Sequence, residues 1–353
     1  MNGIFNGTEL AEPESEGSPL LVLLERAFGR GEPAGPSSHP IADALWERAL
    51  HGPLREFLAR PGKELRARMV ELGFALGGCD AQAMPVELPW VVELLHAGSL
   101  IVDDIQDDSE QRRGRPALHR IHGMPVALNA GNWLYFLAQH LLADMALTKD
   151  ARLLAHERIA ACLLRCHEGQ ALDLTVRVQA LPAAEVPAVV RTLTTLKTGK
   201  LLELSLALGA IAGLASEERV QALSRFGREL GVGLQMLDDL SGVLNPGRRE
   251  KALEDLRLGR ATWVWAALAE ELEAGDYGEL ISQLNRAQAG DGDAYEPILA
   301  QARFRLGMTG LRRVRRHVDA TLGALERAIS GGRWSHDVRE ELAKLERQFM
   351  EAT

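Results

Sequence analysis

PWVVELLHAGSLIVDDIQDD, residues 89–108, joins a long apolar run to four aspartates. The apolar spacing predicts one helix with Pro89 in its first turn. At 100° per residue, one stripe of this helix carries Val92, His96, Ser99, Asp103 and Asp107, with Asp104 beside it. Carboxylates one turn apart can bind a divalent cation from the same side.

Three arginines follow this acidic end almost at once, at Arg112, Arg113 and Arg115. Carboxylates bind metal ions and guanidinium groups bind phosphates, so the combination suggests a metal–phosphate site. A solvated, charged helix end would show the same local pattern. This segment alone leaves both interpretations open.

Helical spacing extends over nearly the whole chain. Apolar residues recur three and four positions apart, and the alternation typical of strands is almost absent. The breaks between helices are short, which argues against a linker between two cores. We therefore predict an all-α protein, with a single helical domain over residues 41–353. Residues 1–40, rich in proline, are predicted to be a loose segment with one short helix.

The composition excludes several classes of protein. Of 353 residues, 46% are hydrophobic and 25% charged, as in an ordinary globular chain. A net charge of −9 argues against a general nucleic-acid binder. No uncharged apolar stretch of about 18 residues is present, so we expect no membrane span. Three cysteines and an acidic start without a signal-peptide pattern indicate a cytoplasmic protein.

A second acidic stretch lies in residues 231–260, GVGLQMLDDLSGVLNPGRREKALEDLRLGR. Its Gln235, Asp238 and Asp239 follow helical spacing at the polar end of an apolar helix. Basic residues come next, at Arg248, Arg249, Lys251 and Arg260. Adjacent carboxylates repel one another when desolvated, and a bound cation relieves that cost. Two such segments in one helical chain predict facing walls of a single pocket.

These segments resemble the motifs of the polyprenyl synthetase family, the trans-isoprenyl diphosphate synthases. DDIQDDSEQRRG (103–114) resembles the family's first aspartate-rich motif, and QMLDD (235–239) resembles the second. Further family motifs occur in the same order, at PGKELR (61–66), His96, GQALDL (169–174), LKTGKL (196–201) and EDLRLGRAT (254–262). The match runs from about residue 60 to 265, and the sequence most resembles the geranylgeranyl-type, short-chain members.

The resemblance implies the isoprenoid synthase fold, a helical bundle around a central cavity. It also implies head-to-tail condensation of isopentenyl diphosphate with an allylic diphosphate, releasing pyrophosphate. Two Mg²⁺ ions are expected on the first motif and a third on the second. Their implied ligands are Asp103, Asp104, Asp107, Asp238 and Asp239. The family also forms homodimers, which are therefore expected here.

The same resemblance assigns the remaining site residues. Arg112, Lys197, Lys251 and Arg260 would bind the allylic diphosphate. Lys63, Arg66, His96 and Arg113 would bind the second diphosphate without metal. Gln235 and Thr198 would stabilise the carbocation through their dipoles. Of these, Asp103, Asp104, Lys197, Gln235 and Asp238 are expected to act most directly in catalysis.

The resemblance also implies that product chain length depends on Gly98 and Ser99, one turn below Asp103. Both are small, which predicts a product longer than farnesyl, and we expect geranylgeranyl diphosphate. Two positions depart from the family pattern. Gly242 replaces the third acid of the second motif, and Arg260 replaces a lysine, which keeps the charge but changes the geometry of phosphate binding.

Two alternative functions remain open. A terpene cyclase on the same fold also uses an aspartate-rich motif, but it needs no second diphosphate site, so the predicted basic group at Lys63, Arg66, His96 and Arg113 argues against it. A non-catalytic partner subunit of a prenyl synthase is the other alternative, and the intact aspartate pairs argue against that.

Overall fold

The computed structural model describes residues 18–29, 40–78, 83–290 and 295–329, with 338–340, 343–344 and 346–347. Within these ranges the chain is helical apart from one short hairpin, so the all-α prediction is confirmed. A helix begins at Pro19 and ends at Gly29, where a short helix is predicted. The rest of the predicted loose segment before Pro40 lies almost wholly outside the described residues.

The helices group into two compact units. The N-terminal unit comprises the described residues up to Ala160 together with Leu204–Val220. It contains α1 (Pro19–Gly29), α2 (Pro40–Trp46), α3 (Gly52–Leu58), α4 (Leu65–Gly77), α5 (Leu88–Gln106), α6 (Leu118–His122), α7 (Met124–Asp144) and the first part of α8 (Lys149–Thr175). A π-helical turn, Glu47–His51, joins α2 to α3.

The C-terminal unit comprises Ala161–Glu203 and the described residues from Gln221 onward. It contains the rest of α8, α9 (Val186–Thr194), part of α10 (Lys200–Ala212), most of α11 (Glu217–Leu244), α12 (Arg249–Leu258), α13 (Trp263–Glu271), α14 (Ala274–Gln288), α15 (Tyr295–Leu306) and α16 (Gly310–Ala328). Another π-helical turn, Thr195–Gly199, joins α9 to α10. Short 3₁₀ turns lie at Val178–Ala180, Ala183–Glu185 and Pro246–Arg248. The prediction of a single domain stays a prediction.

Close helix packing in the N-terminal unit depends on glycine. A Cβ on Gly98 of α5 would lie 2.7 Å from the carbonyl oxygen of Gly131 in α7. A Cβ on Gly209 of α10 would lie 2.0 Å from the carbonyl oxygen of Val70 in α4. The absence of a side chain at these positions lets two helix backbones approach, and the surrounding aliphatic residues then bury their surface.

The C-terminal unit has its own apolar core. Trp265 of α13 is 2% exposed and packs edge-on against Tyr277 of α14, with ring centroids 6.0 Å apart. Leu240 of α11, Leu299 of α15 and Val314 of α16 belong to the same cluster. This core fixes the helices that carry the second aspartate motif.

Among the described residues, one β-hairpin interrupts the helices, at the RRGRP break. Gln111 pairs with Pro116 and Arg112 with Arg115. Arg113 and Gly114 form the turn with φ of 53° and 73°, the left-handed backbone that two-residue hairpins favour. The prediction had no strand here, because two-residue strands leave no periodic pattern in a sequence.

No helix among the described residues has the length and apolar character needed to cross a membrane.

Candidate active site

The first aspartate motif lies at the carboxyl end of α5, as predicted. Asp103 and Asp107 are half-buried and one helical turn apart, and the Asp107 N–H donates to the Asp103 carbonyl over 2.8 Å. The helix stops at Gln106 rather than continuing through Asp108. Asp108 has a φ of 53°, and the Ser109 N–H donates to the Asp104 carbonyl at 2.9 Å, which together close the helix end.

Asp104 is fully buried and faces an arginine of the hairpin. Its Oδ1 accepts a hydrogen bond from Arg112 Nε at 2.8 Å, and Arg112 Nη2 also contacts it. Its Oδ2 is buried without a hydrogen-bond partner among the described residues. Burial raises the pKa of Asp104, although Arg112 opposes this shift. The contact therefore ties the first motif to the RRG hairpin, and one carboxylate oxygen has its hydrogen-bonding capacity unused.

A buried arginine that the sequence analysis missed supports the hairpin. Arg60 is 2% exposed, and it donates to the carbonyls of Arg112 at 3.0 Å and Pro116 at 2.8 Å. Its charge is balanced by Glu56 at 2.8 Å. Arg113 donates to the Arg60 carbonyl at 3.1 Å. No sequence signal distinguishes Arg60, because the ARPGK segment looks like an ordinary turn.

A second missed residue, Glu93, supports the predicted metal-free diphosphate site. Glu93 is 6% exposed, and its Oε1 accepts from the backbone N–H groups of Arg66 at 3.0 Å and Ala67 at 3.1 Å. N–H groups at the start of a helix have no acceptor within the helix, and a carboxylate there is also stabilised by the helix dipole. The sequence does contain a signal for Glu93, because it is an acid within the apolar stretch PWVVELLHA. Glu93 therefore fixes the segment that presents Lys63 and Arg66.

His96 lies in a basic environment. Burial lowers its pKa well below the ordinary value, and the charges of Arg66, Arg113 and Arg112 lower it further. Gly62, next to Lys63, also lies against Arg113, since a Cβ there would sit 3.3 Å from the guanidinium. His96, Arg66 and Arg113, three of the residues predicted for the metal-free site, therefore lie within electrostatic range of one another, and the imidazole is neutral near pH 7.

The two predicted chain-length residues have different surroundings. Ser99 is half-buried, and its hydroxyl donates to the His96 carbonyl at 2.8 Å. Gly98 is buried against the backbone of Gly131. The small size of Gly98 is thus explained by the packing of α5 on α7.

In the C-terminal unit, the second motif surrounds a lysine. Lys251 Nζ lies 3.2 Å from Asp238, 3.7 Å from Asp239 and 3.3 Å from Asp255. Arg248 donates to Asp238 Oδ1 at 2.7 Å. Burial raises the pKa of Asp238, but Lys251 and Arg248 outweigh it and hold the pKa below its ordinary value. Three carboxylates therefore converge on one positive charge.

Asp239 has a different role from Asp238. It is 7% exposed, and it accepts from Gln235 Nε2 at 2.8 Å and from the Trp263 N–H, the first residue of α13, at 2.9 Å. Burial raises its pKa to about 6, against the opposing charge of Lys251. Because both oxygens already accept hydrogen bonds, Asp239 joins α11 to α13.

Hydrogen bonds to both polar atoms of its amide fix the orientation of Gln235. Thr198 Oγ1 donates to Gln235 Oε1 at 2.9 Å, while Gln235 Nε2 donates to Asp239. Trp263 continues the network by donating from Nε1 to Thr194 Oγ1 at 2.9 Å. The predicted pair Gln235 and Thr198 thus belongs to one hydrogen-bonded chain.

The π-helical turn Thr195–Gly199 carries Lys197, whose Nζ lies 2.7 Å from Asp173 Oδ2. Asp173 is the acid of the GQALDL segment, which the sequence analysis quoted without giving it a role. Gly169 of that segment permits the contact, since a Cβ there would lie 2.7 Å from the Leu196 Cβ. Such turns are frequent at functional sites.

The predicted site residues therefore form two sets of contacts, one in each unit. The N-terminal set joins the first motif, the hairpin and the start of α4. The C-terminal set joins Lys197, Thr198, Gln235, Asp238, Asp239 and Lys251, with Arg260 bound through Asp255 at 3.5 Å. Within the described residues, no group of three or more histidine, cysteine or acidic side chains is arranged to hold a metal ion.

The model of the polyprenyl synthetase family matches residues 47–298. The chain belongs to this family. A geranylgeranyl pyrophosphate synthase of Penicillium janthinellum is 31% identical over 270 residues, which are 74% of this chain and 70% of that protein. A short chain isoprenyl diphosphate synthase of Methanocaldococcus jannaschii is 28% identical over 70% of this chain and 75% of its own length.

The alignment with other curated relatives is shorter. A geranylgeranyl pyrophosphate synthase of Penicillium crustosum is 34% identical over 206 residues, 58% of this chain and 57% of that protein. The chain thus spans little more than half of that relative.

Solved structures agree on the fold. The geranylgeranyl pyrophosphate synthetase of Pyrococcus horikoshii has a TM-score of 0.69 and 24% identity, over 93% of this chain and 97% of its own. The heptaprenyl diphosphate synthase of Staphylococcus aureus has a TM-score of 0.72 and 18% identity, over 95% of this chain and 96% of its own. The predicted isoprenoid synthase fold is confirmed by these likenesses.

The two departures from the family pattern have local explanations. A Cβ on Gly242 would lie 3.5 Å from Ala252 of α12, an ordinary contact, so a small side chain would fit. Arg260 follows Gly259, which has a φ of 62° and ends α12, and its backbone N–H donates to the Asp255 carbonyl at 2.9 Å. Arg260 is therefore held beside the acid that also pairs with Lys251.

Proposed function

We propose that this chain is a trans-prenyltransferase that condenses isopentenyl diphosphate with an allylic diphosphate and releases pyrophosphate. Family membership supports the reaction class. Relatives named as geranylgeranyl pyrophosphate synthases support geranylgeranyl diphosphate as the product. The proposed partners are these two diphosphates.

One observation carries the proposal. The chain has two separate sets of basic side chains, and they differ in their acidic neighbours. Arg66, His96 and Arg113 lie within electrostatic range of one another, and the carboxylate near them, Glu93, accepts hydrogen bonds from backbone N–H groups. Lys251 is instead surrounded by three carboxylates. This difference suits one diphosphate bound directly and another bound with cations.

The carboxylates suit divalent cations, and we propose Mg²⁺ held by Asp103, Asp104, Asp107 and Asp238, with three ions per site. The unused Oδ2 of Asp104 and the convergence of acids on Lys251 support this assignment. When bound, Mg²⁺ would neutralise the charge that develops on the departing pyrophosphate. Both oxygens of Asp239 accept protein hydrogen bonds. Asp239 is therefore proposed as a ligand only through the lone pairs that these hydrogen bonds do not use.

The basic residues of the C-terminal set would bind the allylic diphosphate. Lys251, Arg260 and Lys197 each contact a carboxylate, and these contacts hold their charges in place before the substrate arrives. Such preorganisation lowers the cost of stabilising a leaving group. Arg112, fixed by Asp104, is proposed to bind the same diphosphate.

The second diphosphate would be bound by Lys63, Arg66, His96 and Arg113. Since His96 is neutral, it would donate one N–H to a phosphate oxygen without adding a charge. Glu93 accepts a hydrogen bond from the Arg66 N–H and so fixes the backbone position of Arg66 at the start of α4.

The carbocation would be stabilised by oriented dipoles. Gln235 donates to Asp239 and accepts from Thr198, so its amide has a fixed direction. Neither an amide nor a hydroxyl in such a network is a strong nucleophile, and the cation would therefore survive until the second substrate attacks. We propose no dedicated protein base.

A homodimer is proposed from the exposed surface of the N-terminal unit. Leu128 and Phe136 of α7 are 39% and 73% exposed, and Leu153 of α8 is 60% exposed. Large apolar side chains left exposed on a folded chain commonly mark a protein interface. A cytoplasmic location is proposed because Cys162 and Cys166 form no disulfide with each other, although their sulfurs lie 3.8 Å apart.

The test is incubation of the purified chain with labelled isopentenyl diphosphate, Mg²⁺ and C5, C10 or C15 allylic starters, followed by chromatography of the dephosphorylated products. We expect C20 as the main product. Asp103→Asn and Asp238→Asn should each lower the rate by at least 100-fold, the scale of losing a leaving-group contact. Arg257→Gln, an exposed base on α12, is the control. Absence of any elongated product would refute the proposal.

A further inference from the structure

An exposed corner joins α15 to α16, and we define it as residues 303–316. Phe304 is 82% exposed and Met308 is 77% exposed, the highest values for large apolar side chains in the described part of the chain. Burying the two side chains in an apolar phase would recover a hydrophobic gain that the isolated chain does not obtain. They lie in the last turn of α15 and the turn that follows.

The same corner is strongly basic although the whole chain has a net charge of −9. Residues 297–318 contain six arginines and no acid. Four of the six have a described partner: Arg303 donates to the Val243 carbonyl, Arg312 donates to the Met308 carbonyl, Arg313 pairs with Glu271 and Arg315 pairs with Glu346. Arg305, Arg312 and Arg316 form no ion pair with an acid in the described ranges and are exposed.

Local hydrogen bonds hold the turn that carries Met308 and bring Arg312 next to it. Arg312 Nε donates to the Met308 carbonyl at 2.7 Å, and Thr309 Oγ1 donates to the Arg305 carbonyl at 3.2 Å. Arg316 follows Arg312 by four positions and lies on the same face of α16. The opposite face of α16 is buried through Val314, so the basic face points outward.

We propose that the α15–α16 corner docks on an anionic lipid surface. Phe304 and Met308 would enter the boundary between headgroups and acyl chains, while Arg305, Arg312 and Arg316 would contact lipid phosphates. Exposed aromatic or apolar tips with flanking basic residues are the combination that interfacial binding requires. A nucleic acid would attract the arginines but offers no apolar layer for the two tips. The proposal does not depend on the enzymatic activity.

The test is sedimentation of the full chain with lipid vesicles. We expect binding to vesicles of phosphatidylcholine containing 30% phosphatidylglycerol, little binding to phosphatidylcholine alone, and weaker binding in high salt because screening weakens the attraction. The vesicle composition is our choice of probe, and the readout is the partition coefficient.

Two variants separate the contributions. Arg305→Gln/Arg316→Gln should weaken binding by about tenfold or more. Phe304→Ser/Met308→Ser should weaken it by at least about fivefold. Val86→Ser/Arg225→Gln, which removes an exposed apolar residue and an exposed arginine elsewhere, should bind as the wild type does. Circular dichroism verifies that each variant is folded.

Three results would overturn the proposal. The first is no binding to the anionic vesicles. The second is equal loss of binding in the control variant. The third is binding that depends on the arginines but not on Phe304 and Met308, which would indicate a site for a polyanion such as nucleic acid instead.

Discussion

Asp239 joins α11 to α13, and its burial makes the free energy of unfolding depend on pH. Its pKa of about 6 lies above the ordinary value because the carboxyl is buried. The native state therefore binds its proton more tightly than the unfolded state between about pH 4 and pH 6. Across this range the contribution of Asp239 to the free energy of unfolding falls as the pH rises, and above about pH 6 it is constant.

Lys251→Met should raise the pKa of Asp239 further, because the charge of Lys251 lowers it. The fall in stability should then extend to a higher pH. Urea unfolding at a series of pH values would measure this shift. Arg257→Met on the same helix is the control, since Arg257 pairs with the exposed Glu250. An unchanged pH profile in Lys251→Met would contradict the assigned interaction.

Ser99→Phe should shorten the product, because a bulky side chain one turn below Asp103 would occupy space that the growing prenyl chain needs. We expect farnesyl rather than geranylgeranyl length on chromatography. Ser99→Ala keeps the residue small and should leave the length unchanged. Unaltered products in Ser99→Phe would show that the chain grows elsewhere.

At the scale of helices, Gly98 and Gly242 make a matched pair of tests. Gly98→Ala should destabilise the protein by about 1–3 kcal/mol, because its Cβ would lie 2.7 Å from a backbone oxygen of α7. Gly242→Ala should stabilise it by about 0.5–1 kcal/mol, because contacts there begin at 3.5 Å and alanine favours a helix. Urea unfolding measures the free energy of unfolding of both variants. Equal changes in Gly98→Ala and Gly242→Ala would contradict the packing described.

Glu93→Leu should weaken the start of α4, since two backbone N–H groups lose their acceptor. The expected loss of stability is about 1–2 kcal/mol. The KM for isopentenyl diphosphate should rise more than the KM for the allylic substrate, because Arg66 is displaced. Glu93→Gln retains an acceptor oxygen and should be the milder change. Identical KM values for the two variants would exclude a positioning role.

The helices and the motif residues were predictable because both leave periodic or local signals. The end of α5 was misplaced by two residues because a left-handed backbone at Asp108 is not visible in composition. Arg60 and Glu93 were missed for another reason. Their partners lie 52 and 27 positions away at Arg112 and Arg66, and such pairings depend on tertiary packing.

For the whole molecule, the two sets of site residues differ in their electrostatics. One set is basic around a neutral histidine, and the other balances Lys251 and Arg248 against several acids. An enzyme that only ionises an allylic diphosphate would not need the first set. The presence of both therefore favours a reaction with two diphosphate substrates.

The most direct measurement is the release of pyrophosphate from an allylic diphosphate in Mg²⁺, with and without isopentenyl diphosphate. Two-substrate condensation predicts release only when both substrates are present, at one pyrophosphate for each isopentenyl unit incorporated. Arg113→Gln should suppress release by weakening the second substrate's site. Equal release from the allylic diphosphate alone would indicate an ionising lyase and contradict the condensation reaction proposed for this chain.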